Sequence, residues 1–311
     1  MLRYLAPNVI TLSSMIFGLV SLWSSHNDQP ALAAWMIIYA VLTDRIDGIT
    51  ARALKATSEL GMQLDSFADA LNFGVAPAFL VLTYLTGRDD LPFRHGTAHV
   101  LLFVAAGGYM LCAIFRLARY NVLSDDQVPT KIFFGFPTTL TGGTIAIWFL
   151  VMLKYDPTLA EPFGGAKVFG NWQTPPDVWK AFPIALAVGG YLMASRLPMP
   201  KVGMTRNKAV SAVIMIFLTF GYICGFAMHY PELIFWMPTI WAIAFLIWGQ
   251  ASPKARAMYP PPLFPKKPIE KPLVRPQEDM EDIVLDESRR SEPSLDTAAN
   301  TALGKPTSTG D

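Results

Sequence analysis

Four aspartates, Asp44, Asp47, Asp65 and Asp69, fall within residues 44–69 of an otherwise apolar part of the chain. At membrane depth each carboxylate costs about 2.5–3.5 kcal/mol on insertion scales. Four together need a compensating role, and holding divalent cations supplies one. Oxygen-only ligation suits hard ions: Mg²⁺ bridges carboxylates to substrate phosphates, and Mn²⁺ is equally compatible. Two ions shared by the four acids would clamp a pyrophosphate and polarise the phosphorus under attack. Asp69, at the edge of such a group, is the candidate base for an alcohol proton. The competing reading pairs the acids with Arg45, Arg52 and Lys55 for packing alone.

The spacing tells which elements position these groups. Asp44, Asp47, Gly48, Ala51 and Arg52 follow i, i+3, i+4, i+7 and i+8, one face of an α-helix. Gly61, Asp65 and Asp69 step by four along a second helical face, which Thr57 or Ser58 would cap. A tight turn near Thr57 puts Asp47 ten residues before it, and Asp65 and Asp69 eight and twelve after it. At about 1.5 Å rise per residue the carboxylates converge at nearly one height. Gly48 and Gly61 lack side chains where a pyrophosphate or nucleotide must approach a helix backbone. Arg52, one turn past Gly48, supplies phosphate neutralisation.

The complete pattern D-x-x-D-G-x-x-A-R-x(8)-G-x(3)-D-x(3)-D resembles the signature of the CDP-alcohol phosphatidyltransferase family. That resemblance implies attack of an alcohol hydroxyl on the lipid-side phosphorus of a CDP-linked lipid, with CMP leaving. By motif position it assigns metal ligation to Asp44, Asp47, Asp65 and Asp69, with Asp69 also the base. Further stretches are similar to the bacterial serine branch: Pro7 to Thr11, Leu64 to Asp69 running on to Ala78, and Phe115-Arg116-Leu117-Ala118-Arg119-Tyr120-Asn121. So are Phe134-Gly135-Phe136-Pro137 and Ser195-Arg196-Leu197-Pro198. Thr138-Thr139 departs from the pattern, since small or proline residues more often follow that Pro. The branch implies CDP-diacylglycerol and L-serine as substrates. Glycerol 3-phosphate or an inositol phosphate is the alternative acceptor; either would want more basic residues around its pocket. An ion-coupled transporter also uses intramembrane acids, but with repeated halves and midplane sites. Homodimers are common in the family and are the expectation here.

Composition gives the setting. The chain has 311 residues, 52% hydrophobic and 16% charged, and a net charge of +1 that argues against a nucleic-acid partner. Apolar runs near the roughly 20 residues needed to cross a bilayer predict an all-α, multi-pass transmembrane bundle. We place about eight spans, near 9–24, 30–53, 58–86, 98–117, 137–153, 181–195, 209–227 and 233–248. Gly74 and Pro77 predict a kink in the third. Residues 1–250 form the membrane domain. Residues 251–311, rich in Pro, Lys, Asp, Glu and Ser, read as a disordered cytosolic tail. The first hydrophobic run lacks the small-residue cleavage pattern of a signal peptide. Cys112 and Cys224 fall inside spans and read as packing groups, and the four histidines show no ligand spacing. Arg45, Arg52, Lys55, Arg116, Arg119 and Lys131 accumulate on one side, which the positive-inside rule makes cytoplasmic. The acidic face therefore opens to the cytosol from the cell (inner) membrane.

Residues outside the core motif complete the candidate site. Arg116, Arg119 and Lys131 are candidates for lipid phosphate or the acceptor's carboxylate, because guanidinium groups bind such oxyanions in bidentate fashion. Positive-inside topology is the alternative, most directly for Lys131. Asn8 and Thr11 are candidates for nucleotide contact or for capping and interhelical bonding. Asn72, one turn past Asp69, orients a ligand or satisfies a neighbouring helix.

Overall fold

The structure is a computed structural model that describes residues 2–54, 58–123, 132–159, 163–200 and 208–251. The tail predicted beyond 251 and Lys131 lie outside the described residues, and so do the side chains of Ala51 and Arg52.

Apolar helices account for nearly everything described. They are α1 (Leu2–His26), α2 (Pro30–Ala53), α3 (Glu59–Asp69), α4 (Ala76–Gly87), α5 (Gly96–Leu123), α6 (Thr138–Lys154), α7 (Phe182–Ala194), α8 (Lys208–Phe226) and α9 (Pro231–Ala251). A six-residue π segment, Ala70–Val75, joins α3 to α4. Two three-residue strands, β1 (Ile132–Phe134) and β2 (Pro198–Pro200), pair antiparallel with Phe134 opposite Pro198. With α3, the π segment and α4 taken as one rod, the helices follow the eight runs read from the sequence.

Only four of those rods, among the described residues, are long and apolar enough to cross a membrane by themselves. They are Asn8–His26, Glu59–Gly87, Gly96–Asn121 and Pro231–Trp248. That corrects the count of about eight spans read from the sequence, and its causes are local. The far half of α2 carries Asp44, Arg45 and Asp47, and α6 and α7 have only 17 and 13 residues. Part of α8 lies outside the residues whose side chains are described. The architecture is an all-α bundle with several long apolar helices, as a multi-pass membrane protein requires.

α2 forms the centre. Ala33, Ala34, Ile37 and Ala40 on its first half are fully buried, and Ser21 of α1 donates to the Ala33 carbonyl at 2.9 Å. The predicted kink appears as the π segment. Pro77 has no N–H to serve the carbonyl of Phe73 four residues earlier. That carbonyl instead accepts from the Tyr109 hydroxyl of α5 at 2.8 Å, while the Ala76 N–H reaches Leu71 O. Gly142 of α6 lies so close that a Cβ would sit 2.8 Å from the Cα and carbonyl oxygen of Phe73. These contacts hold α3, α5 and α6 together immediately after Asp69.

At the far ends of α4 and α6 two buried ion-pair nodes close the bundle. Arg88 donates to Asp156 at 2.6 Å, and Trp179 Nε1 donates to the same carboxylate at 2.9 Å. Lys154 pairs with Glu232 at 2.8 Å, both side chains almost fully buried, and Tyr155 donates to Glu232 at 2.7 Å. Lys154 also donates to the carbonyls of Gly164 and Ala166, so the connection after α6 is tied to the start of α9.

Candidate metal centre

The two faces predicted for the acidic stretch do meet. Ser58 caps α3: its hydroxyl accepts from the Gly61 N–H at 3.0 Å. A Cβ at Gly61 would meet Ser58 Oγ at 3.1 Å and Asn8 Oδ1 at 3.2 Å. Glycine there admits the cap and the α1 side chain together, and brings Asn8 to the first turn of α3.

Asp44, Asp47 and Asp65 each offer a carboxylate oxygen, all within 4.8 Å of one another. Asp47 is buried, Asp44 half-buried and Asp65 exposed, so the group has one open side. Three carboxylates on two facing helices are a donor set for a hard divalent cation. Thr11 of α1 donates to Asp47 Oδ2 at 2.9 Å. A hydroxyl fixing one oxygen of a carboxylate leaves the other free for an ion and holds its rotamer, as outer-shell partners of metal ligands do.

Asp69 is outside that three-residue group but adjoins it, its carboxyl within hydrogen-bonding reach of Asp44. Its Oδ1 is buried without a hydrogen-bond partner, and a buried oxygen of that kind calls for an ion or a ligand. Its Oδ2 faces Thr138 Oγ1 at 3.4 Å, and Thr138 accepts from Arg116 Nη1 at 2.8 Å. The sequence reading anticipated one helical pair sharing two ions. The geometry gathers a single group of three acids with Asp69 beside it.

The basic candidates separate. Arg116 is buried and faces Asp69 through Thr138, with its Nε unpartnered. Arg119 instead donates to the carbonyls of Ala194, Phe134 and Ser195 at 3.0 Å each, closing the end of α7 over β1. The stretches around Arg119, Gly135 and Ser195 thus meet in one clasp, which brings the strand-and-turn Phe134 to Pro137, and hence Thr138, to the acidic group. Asn72 is 1% exposed, donates to Ser14 Oγ at 3.2 Å and packs over Gly18, where a Cβ would lie 2.1 Å from its Oδ1. Its amide nitrogen thus serves α1, while its Oδ1 is buried without a hydrogen-bond partner. Gly48 lies beside Asp47 on α2. Thr138 is the residue that sequence reasoning missed. It read as a mere departure from a pattern, and a polar residue directly after a helix-starting proline was the only signal.

The profile of the CDP-alcohol phosphatidyltransferase family matches residues 4–173, which contain the whole acidic pattern together with Thr11, Arg116 and Thr138. The chain belongs to that family. It is 28% identical over 221 residues to a CDP-diacylglycerol–serine O-phosphatidyltransferase of Helicobacter pylori, covering 71% of this chain and 82% of that protein. The enzyme of the same description from Mycobacterium bovis is 29% identical over 310 residues, covering 96% of this chain and 93% of its own. That from Mycobacterium leprae is 36% identical over 201 residues, 63% of this chain and 58% of its own. Family membership makes this chain a phosphatidyltransferase of the CDP-alcohol type. The three-carboxylate group fits the metal assistance that such a reaction uses.

Proposed function

We propose that this protein transfers the phosphatidyl group of CDP-diacylglycerol to L-serine, giving phosphatidylserine and CMP. The observation that carries the reading is the convergence of Asp44, Asp47 and Asp65 with Asp69 at its edge. The relatives described as serine transferases support the choice of acceptor. Asp44, Asp47, Asp65 and Asp69 would hold two divalent ions, Mg²⁺ or Mn²⁺. When bound, such ions neutralise pyrophosphate charge and polarise the phosphorus. Asp69 takes the proton of the serine hydroxyl at its unpartnered Oδ1. The serine oxygen forms the new bond to the lipid-side phosphorus, and the bond from that phosphorus to CMP breaks. Arg116, with its free Nε, holds an anionic group of the acceptor or lipid. Gly48, Ala51, Arg52 and Gly61, with Asn8 and Thr11, form the nucleotide and pyrophosphate side.

Positive charge beside the acidic face supports a cytoplasmic opening in the cell (inner) membrane. Residues 1–250 act as the membrane domain, and 251–311 as an appended tail. The active form is a homodimer.

The test is CMP release by purified protein from CDP-diacylglycerol with Mg²⁺ or Mn²⁺ and each candidate alcohol. Release that needs L-serine supports the proposal. Release with glycerol 3-phosphate or an inositol phosphate keeps the chemistry and replaces the acceptor. No metal-dependent release with any alcohol would sink the reading.

A further inference from the structure

Asp69 is the last residue of α3, immediately before the six-residue stretch in which the backbone switches to π geometry. Two contacts one helical turn apart join this stretch to α6. Gly142 packs against the backbone of Phe73, four residues past Asp69. Thr138, four residues before Gly142, reaches Asp69 Oδ2 at 3.4 Å. The close approach that only glycine permits at 142 is therefore what lets Thr138 touch Asp69. Thr138 is 1% exposed, and the same hydroxyl accepts from Arg116 Nη1 at 2.8 Å. Accepting from a guanidinium fixes where the hydroxyl proton points, because an oxygen that accepts on one side donates on another. The remaining donor direction faces Asp69.

We infer that Thr138 is a positioning residue: its hydroxyl, oriented by Arg116, holds Asp69 so that Oδ1 faces the acceptor alcohol. Three observations converge on it. Asp69 Oδ1 is buried and unpartnered; its other oxygen is taken by Thr138; and Arg116 Nε is likewise unpartnered, on the residue that orients the relay. The hydroxyl, not the volume, is the functional part. This role rests on Asp69 acting as proposed above.

The test compares full-length Thr138→Val and Thr138→Ser in nanodiscs, with Asp69→Asn and the double variant Thr138→Val/Asp69→Asn. We expect Thr138→Val to lower kcat about tenfold or more, within the range that a well-placed base contributes. KM for CDP-diacylglycerol should stay within about twofold, and Thr138→Ser should restore kcat to within about threefold. The double variant should be no slower than Asp69→Asn alone. Equal losses in the Val and Ser variants, or a loss in KM with kcat kept, would return Thr138 to packing. Melting temperatures give an arm independent of turnover: the shifts from Thr138→Val and Asp69→Asn should be non-additive, as for groups in one network, and additive shifts overturn the relay. If wild-type protein releases no CMP from CDP-diacylglycerol with any alcohol, the proposed function fails while this stability coupling still decides the contact.

Discussion

The Arg119 guanidinium lies where a side chain on Gly135 would stand. A Cβ on Gly135 would lie 2.8 Å from Arg119 Nη2 and 2.5 Å from the carbonyl oxygen of Met193. Its φ of +84° is one that L side chains rarely adopt. Arg119 meanwhile depends on that bareness to reach the carbonyls of Phe134, Ala194 and Ser195. The clasp therefore fails from either side. Gly135→Ala should cost about 1–3 kcal/mol, read as a lower melting temperature in detergent. Arg119→Lys should do much the same, because one ammonium cannot serve carbonyls spread over a planar fork. An Arg119→Lys variant of unchanged stability with a raised serine KM would move Arg119 from the clasp to the acceptor site.

The acidic group yields the sharpest functional expectation. Asp44→Ala or Asp65→Ala should lower CMP release by at least about a hundredfold and abolish the stabilisation that Mg²⁺ or Mn²⁺ gives the folded protein, since a ligand that binds only the native state raises its stability. A folded Asp44→Ala variant with near-normal turnover would refute the metal centre. Asp69→Asn should spare CDP-diacylglycerol binding more than turnover, measured by titrating the lipid against the inactive variant.

Thr11 acts through Asp47. Thr11→Val removes the 2.9 Å bond to Oδ2, and the divalent-metal requirement should rise about 10- to 100-fold, the usual effect of losing a partner of a metal ligand. The check is CMP release against metal concentration. An unchanged metal profile with a raised KM for the nucleotide-lipid would instead put Thr11 on the nucleotide.

At the opposite end, Lys154 and Glu232 are 2% and 0% exposed in their side chains. Removing one partner strands a buried charge. Glu232→Ala should destabilise by about 3–5 kcal/mol, whereas replacing both by apolar residues of similar volume should cost much less. Thermal unfolding of the single and double variants separates the two, and equal losses would show that packing, rather than charge, matters there.

Asp156 supplies a pH dependence outside the helices. Burial alone would raise its carboxyl, but hydrogen bonds from Thr158 and from Arg88 outweigh that and hold it below the usual range. A depressed folded value contributes stability above the unfolded value of about 3.9, lost as pH falls through the folded value. Asp156→Asn should therefore flatten the loss of stability between about pH 5 and pH 2. Parallel wild-type and variant curves over that range would assign the acid sensitivity elsewhere.

The sequence by itself determined the helical class, the places of the helical rods and the identity of the acidic group. Those follow from residue type and period: apolar runs must bury or meet lipid, and Asp44, Asp47, Asp65 and Asp69 share faces by spacing alone. Thr57 or Ser58 as the α3 cap was also legible, with Ser58 the one used. Tertiary structure decided what each polar residue does. Arg116 and Arg119 lie three apart on one helix, yet one faces Asp69 through Thr138 and the other closes α7 over β1. No local signal separates them, because their partners come from residues 134–138 and 194–195, far along the chain. Asn72 and Thr138 diverge for the same reason: a buried polar side chain takes its role from whichever helix reaches it, and glycines at 18 and 142 set how closely those helices come.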